Sequence, residues 1–256
     1  MNELPFFVER DVLICARPET VFRFFTDSSR FASWWGRGSE IDGRPGGAVR
    51  IRYPDGTVAS GEVLEIVPVE RVVFTYGYED AGKPIAPGGS RVTITLEGRE
   101  GGTLVRVRHD VDSAATREAH AQGWRYQMAV FANVVASDQH AAVAERVDAL
   151  FVAWSETDGE ARRRLLESSA TAGVTFRDAY SATAGIDDLH AHIAGAQRFM
   201  PGVALAREGE VRHCQGTAIA EWKASRPDGA VVGRGTNVYT LSPDGRIAGV
   251  VGFWGG

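Results

Sequence analysis

Asp178 is the side chain best placed for proton chemistry. It follows Val174 and Phe176 at strand spacing, so alternation puts its carboxyl on a face with two apolar neighbours. A carboxyl or imidazole held in an apolar pocket shifts toward neutrality and can exchange protons at working pH. His192 and His213 are the candidate bases or hydrogen-bond partners. His190 and His192 flank one apolar stripe on opposite sides, so at most one of them enters a pocket. Trp154, Tyr180, Trp222 and Tyr239 supply aromatic surface to shape it. The competing reading of Asp178 is a strand-end carboxylate bonded to backbone N–H groups. A second group lies earlier in the chain. His109 shares a strand face with Val105 and Val107, and with Tyr53, Tyr76 and Trp124 it forms a candidate cavity lining, with Trp34 and Trp35 near the mouth. Here the competing reading is a core histidine satisfied by a backbone carbonyl, among tryptophans that are plain core.

Other chemistries lack their residues. Gly46-Gly47 and Gly88-Gly89 are turn glycines with no helix placed to make a phosphate loop. No Gly-x-Ser-x-Gly occurs. The two cysteines, Cys15 and Cys214, lie far apart in apolar strand-like surroundings, which suits buried free thiols in a reducing compartment. No His/Cys cluster has zinc spacing, so neither a metal nor a cofactor is expected. Residues 1–137 carry 16 basic and 18 acidic side chains, and residues 138–256 carry 12 and 15. Neither half has the basic stripe of a nucleic-acid binder. The run Arg162-Arg163-Arg164 reads as a solvated helix face. The acidic start of the chain and the want of a long apolar run argue against a secretory signal or a membrane span, and a cytoplasmic location is expected.

The elements that must hold these side chains are legible from periodicity. Val8 to Cys15 reads as a strand. Pro18 opens a helix over Glu19–Thr26, and Asp27-Ser28-Ser29 breaks it and caps a second one that carries Phe31, Trp34 and Trp35. A glycine-rich loop, Gly36 to Gly47, follows. Strands are predicted over Ala48–Tyr53, Val58–Val67, Arg71–Tyr78, Ser90–Glu97 and Thr103–His109, with Pro54-Asp55-Gly56 and Gly98–Gly102 as turns. Across Ala114–Val135, Trp124, Met128, Phe131 and Val135 recur at helical spacing, with Glu118, Gln122, Arg125 and Asn133 on the wet side. Consecutive antiparallel strands with one apolar face need such a helix to cover them.

Past it, Ser137 or Asp138 is a fitting N-cap for a new helix, and no Gly/Pro-rich linker intervenes. Val143, Val147, Leu150, Phe151 and Trp154 form a helical stripe. Asp158 caps a helix over Glu160–Ser168. Gly173–Asp178 is a strand, and Gly185–Met200 a helix that buries Ile186, Leu189, Ile193 and Met200. Three long strand segments, Val211–Lys223, Ala230–Leu241 and Ile247–Trp254, are separated by Pro227-Asp228-Gly229 and Pro243-Asp244-Gly245.

Ordered motifs add a resemblance for each half. Pro18–Thr26, Trp34-Trp35, Arg44-Pro45-Gly46-Gly47, Gly61-Glu62-Val63, Glu65-Ile66-Val67-Pro68, Gly102-Thr103-Leu104 and His120 with Gly123-Trp124 resemble the heat-shock-protein ATPase activator-like family of the START-like, helix-grip superfamily. Phe151-Val152-Ala153-Trp154, Phe176-Arg177-Asp178, Ala191-His192-Ile193, Met200-Pro201-Gly202, Ala220-Glu221-Trp222, Gly235-Thr236-Asn237-Val238 and Asp244-Gly245-Arg246-Ile247 resemble a SnoaL-like domain of the nuclear transport factor 2-like superfamily. The first resemblance implies a helix-grip fold around an apolar cavity. The second implies a cone of helices and bent sheet whose enzymes use Asp and His without metal. Asn237 stands where those domains commonly carry Asp, and an amide cannot take up a proton as a carboxylate does.

The expected architecture is α+β in two domains: a helix-grip antiparallel sheet with a long C-terminal helix over 1–137, then a cone-shaped α+β barrel with a curved antiparallel sheet over 138–256. Three functions stay open. One is a binding protein whose cavities hold a lipid-like, small apolar, aromatic or polyketide-like molecule. Another is a metal-independent acid/base enzyme (isomerase, cyclase, dehydratase or hydrolase) working in the C-terminal pocket, which requires a raised carboxylate pKa. The third is a module that forms a homodimer through the C-terminal sheet.

Overall fold

The computed structural model describes residues 4–255 and divides into two compact units, Met1–Ala136 and Ser137–Gly256. The first unit runs β1 (Phe6–Ile14), α1 (Pro18–Arg23), α2 (Ser28–Trp35), β2 (Glu40–Ile41), β3 (Ala48–Arg52), β4 (Val58–Val67), β5 (Arg71–Tyr78), β6 (Ser90–Arg99), β7 (Gly102–Val111) and α3 (Ala114–Gln139). Its strands form one antiparallel sheet in the order β1-β7-β6-β5-β4-β3-β2. The inner face buries Val92, Ile94, Val105 and Val107. The outer face is a ladder of ion pairs, Arg106–Asp11 at 2.7 Å, Arg108–Glu9 at 3.3 Å and Arg91–Asp110 at 3.1 Å. The Arg106–Asp11 and Arg108–Glu9 pairs are exposed and contribute little stability each, whereas the Asp110 carboxylate is buried between Arg91 and Arg108.

The helices follow their sequence signals closely. Pro18 occupies the first turn of α1, where a missing N–H costs nothing. The Asp27 side chain accepts from the Arg30 N–H and caps α2. In α3, Trp124, Met128, Phe131 and Val135 are all buried and Glu118, Gln122, Arg125 and Asn133 are exposed. Two expectations change. The loop Gly36–Gly47 contains β2, which at two residues is too short to leave a periodic signal. Ser137 and Asp138 do not cap a new helix; they are exposed positions in the last turn of α3, and the next helix starts at Val143 with no side-chain cap.

The second unit runs α4 (Val143–Ser155), α5 (Gly159–Ser169), β8 (Ala170–Arg177), β9 (Ala182–Ala184), α6 (Ile186–Phe199), β10 (Ala204–Cys214), β11 (Thr217–Ser225), β12 (Val231–Leu241) and β13 (Ile247–Trp254). The sheet order is β10-β11-β12-β13-β8-β9. The β13–β8 pair is parallel; the other pairs are antiparallel, and the sheet does not close into a barrel. Asp158 caps α5 by accepting from the Ala161 N–H. The Pro-Asp-Gly turns repeat one geometry, with φ of +88° at Gly56 and +86° at Gly229 and Gly245. The segment expected as one strand over Val211–Lys223 is a hairpin, β10 and β11. Gln215 and Gly216 turn it with φ of +46° and +86°, the two positive values of a type I′ turn. A glutamine before the glycine hides that signal, since Asn or Asp is the usual partner. Met200, expected in the core, lies just past α6 and is 40% exposed.

The core of the first unit centres on Phe131, which lies 4.9 Å from the ring of Phe25, 4.6 Å from Trp34 and 6.1 Å from Phe24. Phe131→Ala is expected to lower stability by about 3–5 kcal/mol. Glu118→Ala on the wet side of the same helix should stay within about 0.5 kcal/mol. Denaturant unfolding of both variants checks this; similar losses for the two would show the gripping face is misplaced.

Candidate ligand-binding sites

In the first unit α3 and the sheet enclose a cavity of about 480 Å³. All six side chains expected there, Trp34, Trp35, Tyr53, Tyr76, His109 and Trp124, line it. Gly36 lets the end of α2 abut β3: a Cβ on it would meet the Arg52 carbonyl oxygen at 2.2 Å, in a backbone of φ +149°. That approach brings Trp35 edge-on to Tyr53, with ring centres 5.9 Å apart. Trp35 also lies edge-on to Trp124 at 5.6 Å.

His109 is held by both ring nitrogens. Trp124 Nε1 donates to His109 Nδ1 at 3.0 Å. With Nδ1 accepting, the neutral ring carries its proton on Nε2, which lies 2.8 Å from Ser90 Oγ. Ser90 Oγ in turn donates to the Tyr76 carbonyl at 2.7 Å. Burial, with a smaller contribution from His120, pushes the His109 pKa down to about 3. The ring is thus a satisfied core histidine whose partners are a side-chain hydroxyl and an indole, where a backbone carbonyl was expected. Tyr53 and Tyr76 share a hydrogen bond of 2.8 Å between their hydroxyls, and burial raises both phenol pKa values. Two polar residues of this wall, Tyr78 and His120, were not among the expected ones, and they are bonded to each other at 3.1 Å. Their signal is in the sequence: Tyr78 follows Tyr76 by two on a strand, and His120 precedes Trp124 by four on a helix.

The second cavity, of about 350 Å³, lies in the second unit. Trp154 of α4, Phe176 of β8, His192 of α6, Trp222 of β11 and Asn237 of β12 line it, with Asp178 just past β8. Tyr180 reaches only the rim: it is 80% exposed, edge-on to Trp254 at 5.5 Å. The His192 ring packs against Trp154 at 5.6 Å and Phe176 at 6.1 Å. Asn237 Oδ1 accepts from Trp222 Nε1 at 3.0 Å, so the amide orients a wall ring.

Two expected residues lie elsewhere. His213 is near the β10–β11 turn, where its Nε2 accepts from the Gly216 N–H at 3.1 Å and its ring packs on His140 at 5.0 Å. Tyr239 shares the strand face of Asn237 but is fully buried in the core, with its hydroxyl accepting from Asn237 Nδ2 at 3.2 Å. Asp178 does not have the raised pKa of a general acid. Burial raises it, but donors outweigh burial: Ser181 Oγ at 2.7 Å, the Tyr180 N–H at 2.9 Å and Trp254 Nε1 at 3.1 Å hold the carboxyl below its usual range.

The chain has six tryptophans, and they divide evenly between the cavities: Trp34, Trp35 and Trp124 in one, Trp154, Trp222 and Trp254 in the other. Among the described residues no group of three or more His, Cys, Asp or Glu side chains is placed to hold a metal. No described helix is long and apolar enough to cross a membrane.

Fold and sites together define an α+β chain with a START-like unit followed by a SnoaL-like unit. Residues 15–136 match the family described as activator of Hsp90 ATPase homolog 1-like protein, and the second unit resembles the SnoaL-like family. A crystal structure of a candidate isomerase of the SnoaL-like family from Agrobacterium tumefaciens is 31% identical over 46% of this chain and 99% of its own, with a TM-score of 0.42. The solution structure of an AHSA1-like protein from Rhizobium etli is 31% identical over 51% of this chain and 82% of its own, with a TM-score of 0.41. An Aha1 dimer from Colwellia psychrerythraea is 20% identical over 48% and 90%, with a TM-score of 0.42. No curated protein matches the chain.

His109 sets a pH dependence. Its folded pKa, about 3, lies below the ordinary value of 6.5, so unfolding takes up a proton. The stability tied to the neutral ring is complete above pH 6.5 and is lost as the pH falls toward 3. His109→Gln is expected to flatten the acid limb of the stability curve of the first unit by about one proton. Denaturant midpoints measured across that range test it, and identical slopes for the variant and the parent would refute it.

Proposed function

We propose that this chain is a small-molecule binding protein whose two apolar cavities hold lipid-like, aromatic or polyketide-like ligands. One observation carries this reading: in each wall the polar group that shares a strand face with apolar side chains, His109 in one and Asp178 in the other, is committed to internal partners. His109 is engaged at both nitrogens, and the Asp178 carboxylate accepts three hydrogen bonds. Such groups orient walls and do not wait for a proton. Apolar cavities of this size with a few fixed polar atoms suit a drug-sized ligand.

An acid/base enzyme in the second unit is the alternative, and it draws on the shared placement of Asp178 and His192 on one apolar cavity. The lowered Asp178 pKa weighs against it. The third role is compatible with either. The outer face of the second sheet carries Ile219, Val238 and Val251 in register across β11, β12 and β13, all half-buried, with Phe253 exposed beside them. The outer face of the first sheet is charged instead. We therefore place a homodimer contact on the second.

Native mass spectrometry of the protein as purified is expected to show a retained small molecule that denaturation releases. Ala196→Trp, which fills the second cavity from α6, should remove whatever that cavity retains. Neither a bound mass nor binding of added aromatic compounds would end the binding reading. For the dimer, light scattering should give twice the chain mass, and Val238→Glu should return it to monomer; a monomeric parent protein at high concentration removes the dimer from the proposal.

A further inference from the structure

We propose that the cavity of the second unit takes cationic aromatic molecules, with a methylated ammonium group facing the Asp178 carboxylate and the aromatic rings beside it. This rests on the small-molecule reading of that cavity. The carboxylate is a negative charge without a positive partner. Its three donors, the Tyr180 N–H, the Ser181 hydroxyl and the Trp254 indole N–H, are all neutral. They hold the carboxyl in its ionised form and leave its charge uncompensated. Among the described residues no Lys or Arg side chain lines the cavity or pairs with Asp178. Arg177, next in sequence, lies on the outer face of the sheet in register with Val251.

Asn237 adds to the same electronegative end. Gly252 lies between the two groups: a Cβ on it would stand 3.1 Å from Asn237 Oδ1 and 3.3 Å from the Asp178 Cβ. The bare glycine thus brings an amide oxygen and a carboxylate to one stretch of wall. The aromatic rings are fixed to these same groups. Trp222 commits its N–H to Asn237 and Trp254 commits its N–H to Asp178. The two indoles sit edge-on at 5.0 Å, and Tyr180 stands edge-on to Trp254 at 5.5 Å. Trp154 and Phe176, with ring centres 5.2 Å apart, continue the aromatic wall.

Charge and rings act on a ligand in the same sense. The face of an aromatic ring is the negative pole of its quadrupole and attracts a cation within about 6 Å. A carboxylate in a water-poor wall attracts it further, with less screening than in bulk water. An anion would lose its hydration and meet a like charge. Three of the roughly four lone-pair sites of the carboxylate are already occupied, so it offers charge more than a free acceptor. A trimethylammonium head, which carries charge and no N–H, matches that offer. The first cavity is lined by no carboxylate, so the preference belongs to the second alone.

The test titrates three probes of similar shape into the full chain: phenyltrimethylammonium, its uncharged isostere tert-butylbenzene, and benzenesulfonate. Binding is followed by NMR at the indole N–H signals of Trp154, Trp222 and Trp254, which line this cavity and not the first. Phenyltrimethylammonium is expected to bind at least roughly tenfold tighter than benzenesulfonate. Asp178→Asn should weaken the cation roughly tenfold and leave tert-butylbenzene unchanged. Val232→Lys sets a positive charge at the exposed rim without touching the bonds of the carboxylate, and should weaken the cation alone. If Asp178→Asn also loses the hydrocarbon, its cavity has changed shape and Val232→Lys decides. Equal affinity of cation and sulfonate for the parent protein overturns the inference, as does cation affinity unchanged in the deciding variant. Binding of tert-butylbenzene alone overturns it while upholding the cavity. If none of the three moves the indole signals, the binding reading of this cavity falls and the cation preference falls with it.

Discussion

The hydrogen bond from Trp124 to His109 joins the long helix to β7, one strand in from the sheet edge, beside a space that side chains do not fill. An empty space forfeits the dispersion contacts that normally hold two layers together. Its walls must be tied in another way, and the first unit uses directed bonds. Trp124 holds His109, His109 meets Ser90, and Ser90 holds the Tyr76 carbonyl, so the helix and three strands, β7, β6 and β5, are linked in one run of bonds. Trp34 donates its indole N–H to the Phe24 carbonyl, fixing α2 against α1. The second unit solves the same problem with different residues: Trp222 is tied to Asn237, and Trp254 to Asp178. In each unit an indole lends its flat body to the hollow and its one donor to the scaffold.

That division of labour bears on function. A general acid or base needs a proton that can leave at working pH. His109 is neutral far below that range, and Asp178 is ionised and saturated by three donors. Asp178 began as the best chemical candidate and His109 as a cavity-lining one, because each shares a strand face with apolar side chains. The face was read correctly. What alternation cannot convey is the identity of the third party: the Ser181 hydroxyl comes from the turn just past the strand, and the Trp254 indole and the Ser90 hydroxyl come from other strands. Those partners decide whether a buried polar group is poised or spent.

The limits of sequence reading have the same cause throughout. Helix stripes and strand alternation are local, and they identified α3, the Asp27 and Asp158 caps and the Pro-Asp-Gly turns. Two-residue β2 and three-residue β9 are made by pairing rather than by pattern. The Gln215-Gly216 turn folds a stretch of uniform strand character back on itself, which moved His213 to a hairpin end far along the sheet from where an unbroken strand suggested. Tyr239 and Asn237 share a face, yet only the second reaches the cavity; depth within a core is a property of the layers above, not of period. Tyr78 and His120 were within reach of the same periodic reasoning that found Tyr76 and Trp124.

The strand order of the second unit has a consequence for how that unit comes into being. β13 is the last strand to be synthesised, but it lies in the interior of the sheet, between β12 on one side and β8 on the other. Until it emerges, the β8–β9 pair and the β10–β11–β12 meander have no edge in common, and the wall formed by Gly252 and Trp254 does not exist. The first unit meets no such delay, since α3 completes it while the second is still being translated. On a ribosome the two hollows therefore mature in sequence, and a nascent chain that has finished the first still exposes two unjoined sheet edges, each open to mispairing with a neighbouring chain.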